Sequence, residues 1–148
     1  MKLVVVLLVF LLVGCGSAPA HAPGTAEPSP DRTWLGMVPG DAVSYEGTAG
    51  ELVLIYVDET YSISGTNASA LTWKLGEDTY TTDYVVEDDD GTLSWYGRKG
   101  EWRVGRHGEE PRRLAIVDQR VRFGDRSITL SGDGPPVALQ TPEGTFTR

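Results

Sequence analysis

The 148-residue chain has one cysteine, two histidines and no apolar run longer than eleven residues. A single cysteine excludes an intrachain disulfide, so an exported form must draw its stability from its core. His107 is the only histidine beyond residue 31, and no cysteine follows Cys15. A structural zinc site takes about four such ligands, so none is expected. A membrane-spanning helix needs roughly 20 consecutive apolar residues, which excludes one here. Positive charge is also scarce. After residue 14, 12 Lys and Arg stand against 21 Asp and Glu, a formal net of −9. That balance argues against nucleic acid as a partner and against a basic hold on an anionic membrane. Helical periodicity is missing too, since no window keeps the i, i+3, i+4, i+7 apolar spacing for long.

The eleven-residue apolar run, Leu3 to Val13, follows Met1-Lys2 directly. A short basic start and a run of this length have the layout of a signal peptide. The next window, Leu12-Val13-Gly14-Cys15, resembles the lipobox of bacterial lipoprotein precursors at every position. The resemblance implies that the Cys15 thiol takes a diacylglyceryl group, that cleavage occurs before Cys15, and that the new N-terminus is acylated. Two or three acyl chains make such an anchor stable where one is marginal. The expected organisation is a signal peptide at 1–14, then a lipidated cysteine and Pro/Ala-rich tether at 15–31. A single domain occupies 32–148. The tether, "GSAPAHAPGTAEPSPD" after Cys15, has four prolines and almost no large apolar residue. As a flexible coil it reaches about 20–24 Å. The expected location is the extracytoplasmic side of a bacterial membrane.

The domain reads as antiparallel β-structure throughout. "AVSYEG" and "ELVLIYVDETYSISG" are rich in Val, Ile, Tyr and Thr and bounded by glycine. "ALTWKL" follows, and "TYTTDYVVEDDDGTLSWYG" reads as a hairpin. In it Tyr80, Thr82, Tyr84 and Val86 share one face, Asp90-Gly91 is expected to form a two-residue type I′ turn, and Leu93 and Trp95 return. A turn near Lys99-Gly100 leads to Trp102 and Val104, expected on one side with Glu101 and Arg103 on the other. "RRLAIV" is next. Then "QRVRFGDRSITLSG" turns near Gly124-Asp125, with Val121, Phe123, Ile128 and Leu130 inward and Arg120 and Arg122 outward. "VALQT" is a last strand or a covering segment. Short strands joined by tight turns predict an all-β meander forming a small barrel, half-barrel or sandwich.

Several of these segments resemble a group of functionally uncharacterised bacterial exported β-meander proteins. The likeness runs from Pro39 to Pro111 through "MVPGDAVSYEG", Val57-Asp58-Glu59-Thr60, "SISG", "DYVVEDDDGTLSWYG" and "GEWRVGRHGEEP". This chain departs from the group at Val85-Val86-Glu87, where a more polar stretch is usual. The resemblance implies a fold and brings no activity with it.

Candidate chemistry is thin. "EDDDG" (Glu87 to Gly91) suggests calcium, but Val86 occupies the position of the first aspartate and no distal glutamate closes the loop. An acidic hairpin tip is the expectation. Nucleophilic catalysis would run through His107, in "GRHGEEP", with no Gly-x-Ser-x-Gly elbow to serve. Trp34, Trp73, Trp95, Trp102, Tyr84 and Tyr96 fall mostly on alternating strand positions, which suits core packing better than a carbohydrate or lipid site. Trp34, at the tether edge, is expected to seal one end of the sheet. No enzyme, cofactor or metal is expected. The leading function is a membrane-anchored interaction or accessory module of the envelope, with an envelope protein as possible partner. Its rival is a carrier holding a lipid or other apolar ligand in a half-barrel cavity. Large inward side chains would plug such a cavity.

Overall fold

The computed structural model describes residues 33–77 and 79–148; the expected signal peptide, Cys15 and the expected tether lie outside the described residues. The strands are β1 (Ala42–Gly47), β2 (Gly50–Ile63), β3 (Thr66–Leu75), β4 (Thr79–Glu87), β5 (Leu93–Arg98) and β6 (Trp102–Arg103). They continue as β7 (Arg112–Leu114), β8 (Ile116–Val117), β9 (Arg120–Phe123), β10 (Arg126–Thr129), β11 (Ala138–Thr141) and β12 (Gly144–Thr147). Among the described residues no helix forms. The fold is all-β, as the alternation implies.

One antiparallel sheet runs β6-β5-β4-β3-β2-β1-β12-β11-β10-β9-β8, with β7 hydrogen-bonded to β5. Two meanders are joined where β12 pairs back onto β1, Glu46 opposite Thr147. Only Ala115 separates β7 from β8, and those two pieces pair with β5 and β9 respectively. The sheet curls into a half-barrel whose two ends are bridged by residues 112–117.

Inward positions form the main core: Tyr45, Leu52, Leu54, Tyr56, Leu71, Trp73, Val85, Leu93, Trp95, Val121, Phe123, Ile128, Leu139 and Phe146. Phe123 lies at its centre, with ring centroids 6.3 Å from Trp73 and 6.0 Å from Trp95. Trp34 tilts against the same ring at 6.4 Å, while Leu35 and Met37 beside it are fully buried. The segment before β1 thus caps one end of the curl, as expected of Trp34. Gly36 makes this possible: at φ 68° it turns the chain so close to Gly134 that a Cβ would overlap the carbonyl.

A second, smaller cluster lies on the outer face, where Ile63, Ala68, Ala70, Tyr84 and Val86 pack with Tyr61, Tyr96 and Val104. It bears out one expectation and corrects another. Tyr84 and Val86 do share a face, but the main core takes Val85 and Asp83 from β4 instead. Trp102 and Val104 also part, Trp102 against the main core and Val104 against the outer cluster.

Turn chemistry brought one further correction. Glu87 pairs with Leu93, and Asp88 N donates to Thr92 O while Gly91 N donates to Asp88 O. Only Gly91, at φ 79°, has positive φ in this loop. This is a type I turn closed by a left-handed glycine, a longer loop than the expected type I′. Type I′ geometry occurs instead at Ser64-Gly65 (φ 51° and 82°) and Asp118-Gln119 (φ 49° and 59°). The Gly124-Asp125 turn is where it was expected, between Phe123 and Arg126. "VALQT" supplies β11, and β12 beyond it is a strand that periodicity did not single out.

Candidate functional site

The site grows from a β-bulge. Along β5, Leu93 and Trp95 point inward, and strict alternation would send Arg98 out. Trp95 pairs with Val85, however, and Gly97 with Tyr84, so Tyr96 and Gly97 together oppose one residue. A one-residue insertion switches the face of everything after it. Arg98 therefore turns inward, directly opposite Asp83. Gly97 is required there, because a Cβ would stand 2.6 Å from Trp102 O and 2.8 Å from Arg103 Cα.

Asp83 is fully buried and Arg98 is 4% exposed. Arg98 Nε donates to Asp83 Oδ1 at 2.9 Å and Nη2 donates to Oδ2 at 3.2 Å. Two indoles complete the carboxylate's shell: Trp95 Nε1 donates to Oδ1 at 3.1 Å and Trp73 Nε1 to Oδ2 at 3.0 Å. Burial pushes the Asp83 carboxyl above its ordinary range, against the opposing pull of Arg98 and Trp73. Burial likewise works against the Arg98 charge, but its bonds to Asp83 and Asp125 outweigh that and hold it protonated. Arg98 also donates to Phe123 O at 3.0 Å and to Asp125 Oδ1 at 2.8 Å. No backbone ladder joins β5 to β9, so this guanidinium staples the sheet ends where strand pairing does not.

β7 pairs with β5 while β8 pairs with β9, and between these two ladders the wall opens into a cleft of about 530 Å³. Trp95 and Leu114 give it an apolar floor, with Gly124 at one end. A Cβ on Gly124 would lie 3.4 Å from the Trp95 ring, so a side chain there would crowd the floor. Arg112 and Arg113 of β7 and Arg120 and Arg122 of β9 also line it. All four are exposed, and among the described residues none makes an ion pair. Arg112 is held in place by ring faces, 3.9 Å above Trp102 and 5.5 Å from Trp95. Those two indoles meet edge to face at 4.9 Å. Asp118, at the β8–β9 turn, is the one carboxylate among the lining residues.

A cleft of this size falls within the range for small-ligand sites, roughly 300–1,000 Å³. Its arginine-rich lining has the chemistry to meet an anion, because guanidinium forks match phosphate and carboxylate oxygens in pairs. No protein-family model matches the chain, and no curated protein or solved structure matches it.

Of the residues singled out from sequence, Trp95 lines the cleft and Trp102 stacks under Arg112, while the others lie elsewhere. Cys15 is outside the described residues. His107 sits in an exposed turn, where its backbone N–H donates to Glu109 Oε2 at 2.6 Å. Glu87, Asp88, Asp89 and Asp90 are all exposed, and Asp90 Oδ1 is occupied by the Thr92 N–H at 2.9 Å. Among the described residues no three His, Cys, Asp or Glu side chains gather as a metal site. Trp73 and Trp95 line the core, and Tyr84 and Tyr96 belong to the outer cluster.

Sequence reasoning missed the Asp83–Arg98 staple and the arginine cleft. A signal for the cleft was present: "RRL" and "RVRF" concentrate four arginines in two short strands of the more basic half. Nothing local signalled the staple.

Proposed function

We propose that this protein is a bacterial lipoprotein held at the cell envelope through Cys15, and that its extracytoplasmic domain is a non-enzymatic binding module. The lipobox Leu12-Val13-Gly14-Cys15 and the Pro-rich tether support the anchor. The filled interior carries the functional half of the proposal. Tyr45, Phe123 and Phe146 are wholly buried, with Trp73 and Trp95 packed among them. A carrier needs an empty, lined lumen. Here the space for a ligand is on the outside of the closure, in the arginine cleft, so binding at the surface is favoured over carriage inside the curl.

Metabolic labelling with a radioactive fatty acid, followed by membrane fractionation, tests the anchor. Wild-type chain is expected to take label and sediment with membranes at high salt, and Cys15→Ser to lose the label. Equal labelling of both removes the lipoprotein reading. Native mass spectrometry of the purified protein tests the second half. An acyl lipid retained inside a chain that lacks Cys15 would favour the carrier.

A further inference from the structure

We infer that the arginine cleft is a binding site for a phosphate monoester carried on a short apolar body. This rests on the binding role proposed above and specifies its ligand. Three features decide the class. Four arginines against one carboxylate among the lining residues leave a positive excess even with Arg113 partly engaged by Asp90, which suits a doubly charged phosphate ester better than a singly charged carboxylate or sulfate ester. Uncommitted arginines supply the donors: Arg120 and Arg122 have no ion-pair partner among the described residues, and Arg112 is stacked in position before any ligand arrives, while the charge of Arg113 is shared with Asp90. Then there is the floor. Trp95, Leu114 and Val117 offer apolar surface that an inorganic anion would leave uncovered. The Asp83–Arg98 staple and the bulge fix the Trp95 ring beneath, so the floor is rigid.

Calorimetric titration of residues 16–148 tests the assignment; this piece contains every strand and both core clusters. The probes are inorganic phosphate, butyl phosphate, hexyl phosphate and hexyl sulfate. Affinity is expected to rise by about two- to fourfold for each methylene laid on the floor. Hexyl phosphate should bind more tightly than hexyl sulfate. Arg120→Gln/Arg122→Gln is expected to weaken hexyl phosphate by roughly tenfold or more without moving the melting temperature, since both side chains are exposed. Asp118→Asn should tighten it, because the change removes the rim carboxylate at a φ of 49° that asparagine tolerates.

Sedimentation with phosphatidic acid vesicles identifies the source. Binding to vesicles as well as to hexyl phosphate assigns a lipid headgroup, and binding to hexyl phosphate alone assigns a soluble phosphate ester. Affinity independent of alkyl length, equal binding of phosphate and sulfate, or an unaffected double variant each overturns the inference. Binding of none of the probes, with fatty-acid labelling of Cys15 intact, removes the ligand and leaves the anchored module standing.

Discussion

Asp83→Asn strikes the side-chain staple that reinforces the closure made by residues 112–117. The carboxylate accepts four hydrogen bonds, from Arg98 Nε and Nη2 and from the Trp73 and Trp95 indoles, at 2.9–3.2 Å. Asparagine keeps one acceptor and presents an NH₂ group where the other stood, so two donors face a donor. Hydrogen bonds to charged groups are worth about 1.5–3 kcal/mol each, which makes the loss roughly 3–6 kcal/mol. Breaking a buried ion pair from one side costs about 3–5 kcal/mol by independent reasoning, since a bare charge stays buried. Against a total stability of about 5–15 kcal/mol, either figure is a large share. At about 4 °C per kcal/mol for a domain of this size, the melting point should fall by roughly 12–20 °C. Urea denaturation followed by tryptophan fluorescence measures the change. Arg98→Met supplies a test with a sign. It leaves Asp83 buried without its cation, and burial already holds that carboxyl above its unfolded value of about 3.9. The protonated form is then favoured in the folded state. Stability is fully present below about pH 4 and is lost as pH rises through the raised folded value. The deficit of Arg98→Met relative to the parent should therefore widen from about pH 4 to pH 7. An Asp83→Asn cost within about 1 kcal/mol of zero, or a deficit that narrows with pH, would refute the staple.

Three other perturbations have defined outcomes. Burial pushes the Tyr45 hydroxyl, which donates to Pro136 O at 2.9 Å, up to about 12. Its contribution is complete below pH 10 and lost between there and about pH 12, amounting to about 2–3 kcal/mol; Tyr45→Phe should lose about 1 kcal/mol at neutral pH and flatten that alkaline slope. Gly91→Val should cost about 1–2 kcal/mol through backbone strain alone, because φ is 79° and no atom lies within 4 Å of the added Cβ; an unchanged melting temperature would refute the left-handed turn residue. Asp88→Asn/Asp89→Asn should be neutral or stabilising by some tenths of a kcal/mol, since both are exposed like charges; a calcium-dependent melting rise in the parent, absent from the double variant, would reinstate the cation site.

What the sequence determined by itself is local. Alternation over "RVRF" and "RSIT" settles which side chains of β9 and β10 face the core, because a strand's period of two leaves no other choice once one face is apolar. The Gly124 turn and the absence of helix follow from neighbours a few residues apart. Tertiary structure decided everything that depends on parity or on partners distant in the chain. Nothing within "SWYGR" says that Tyr96 and Gly97 oppose one residue, yet that single insertion carries Arg98 from solvent to Asp83. "TTDYVV" has apolar residues on both faces, and the indoles of Trp73 and Trp95 together with Arg98 select the face bearing Asp83 for the interior. Of the four arginines, alternation placed Arg120 and Arg122 outward and said nothing of Arg112 and Arg113. All four become the walls of one cleft because β7 pairs with β5 while β8 pairs with β9, and the split between those ladders is set by closure of the sheet, which no local pattern encodes.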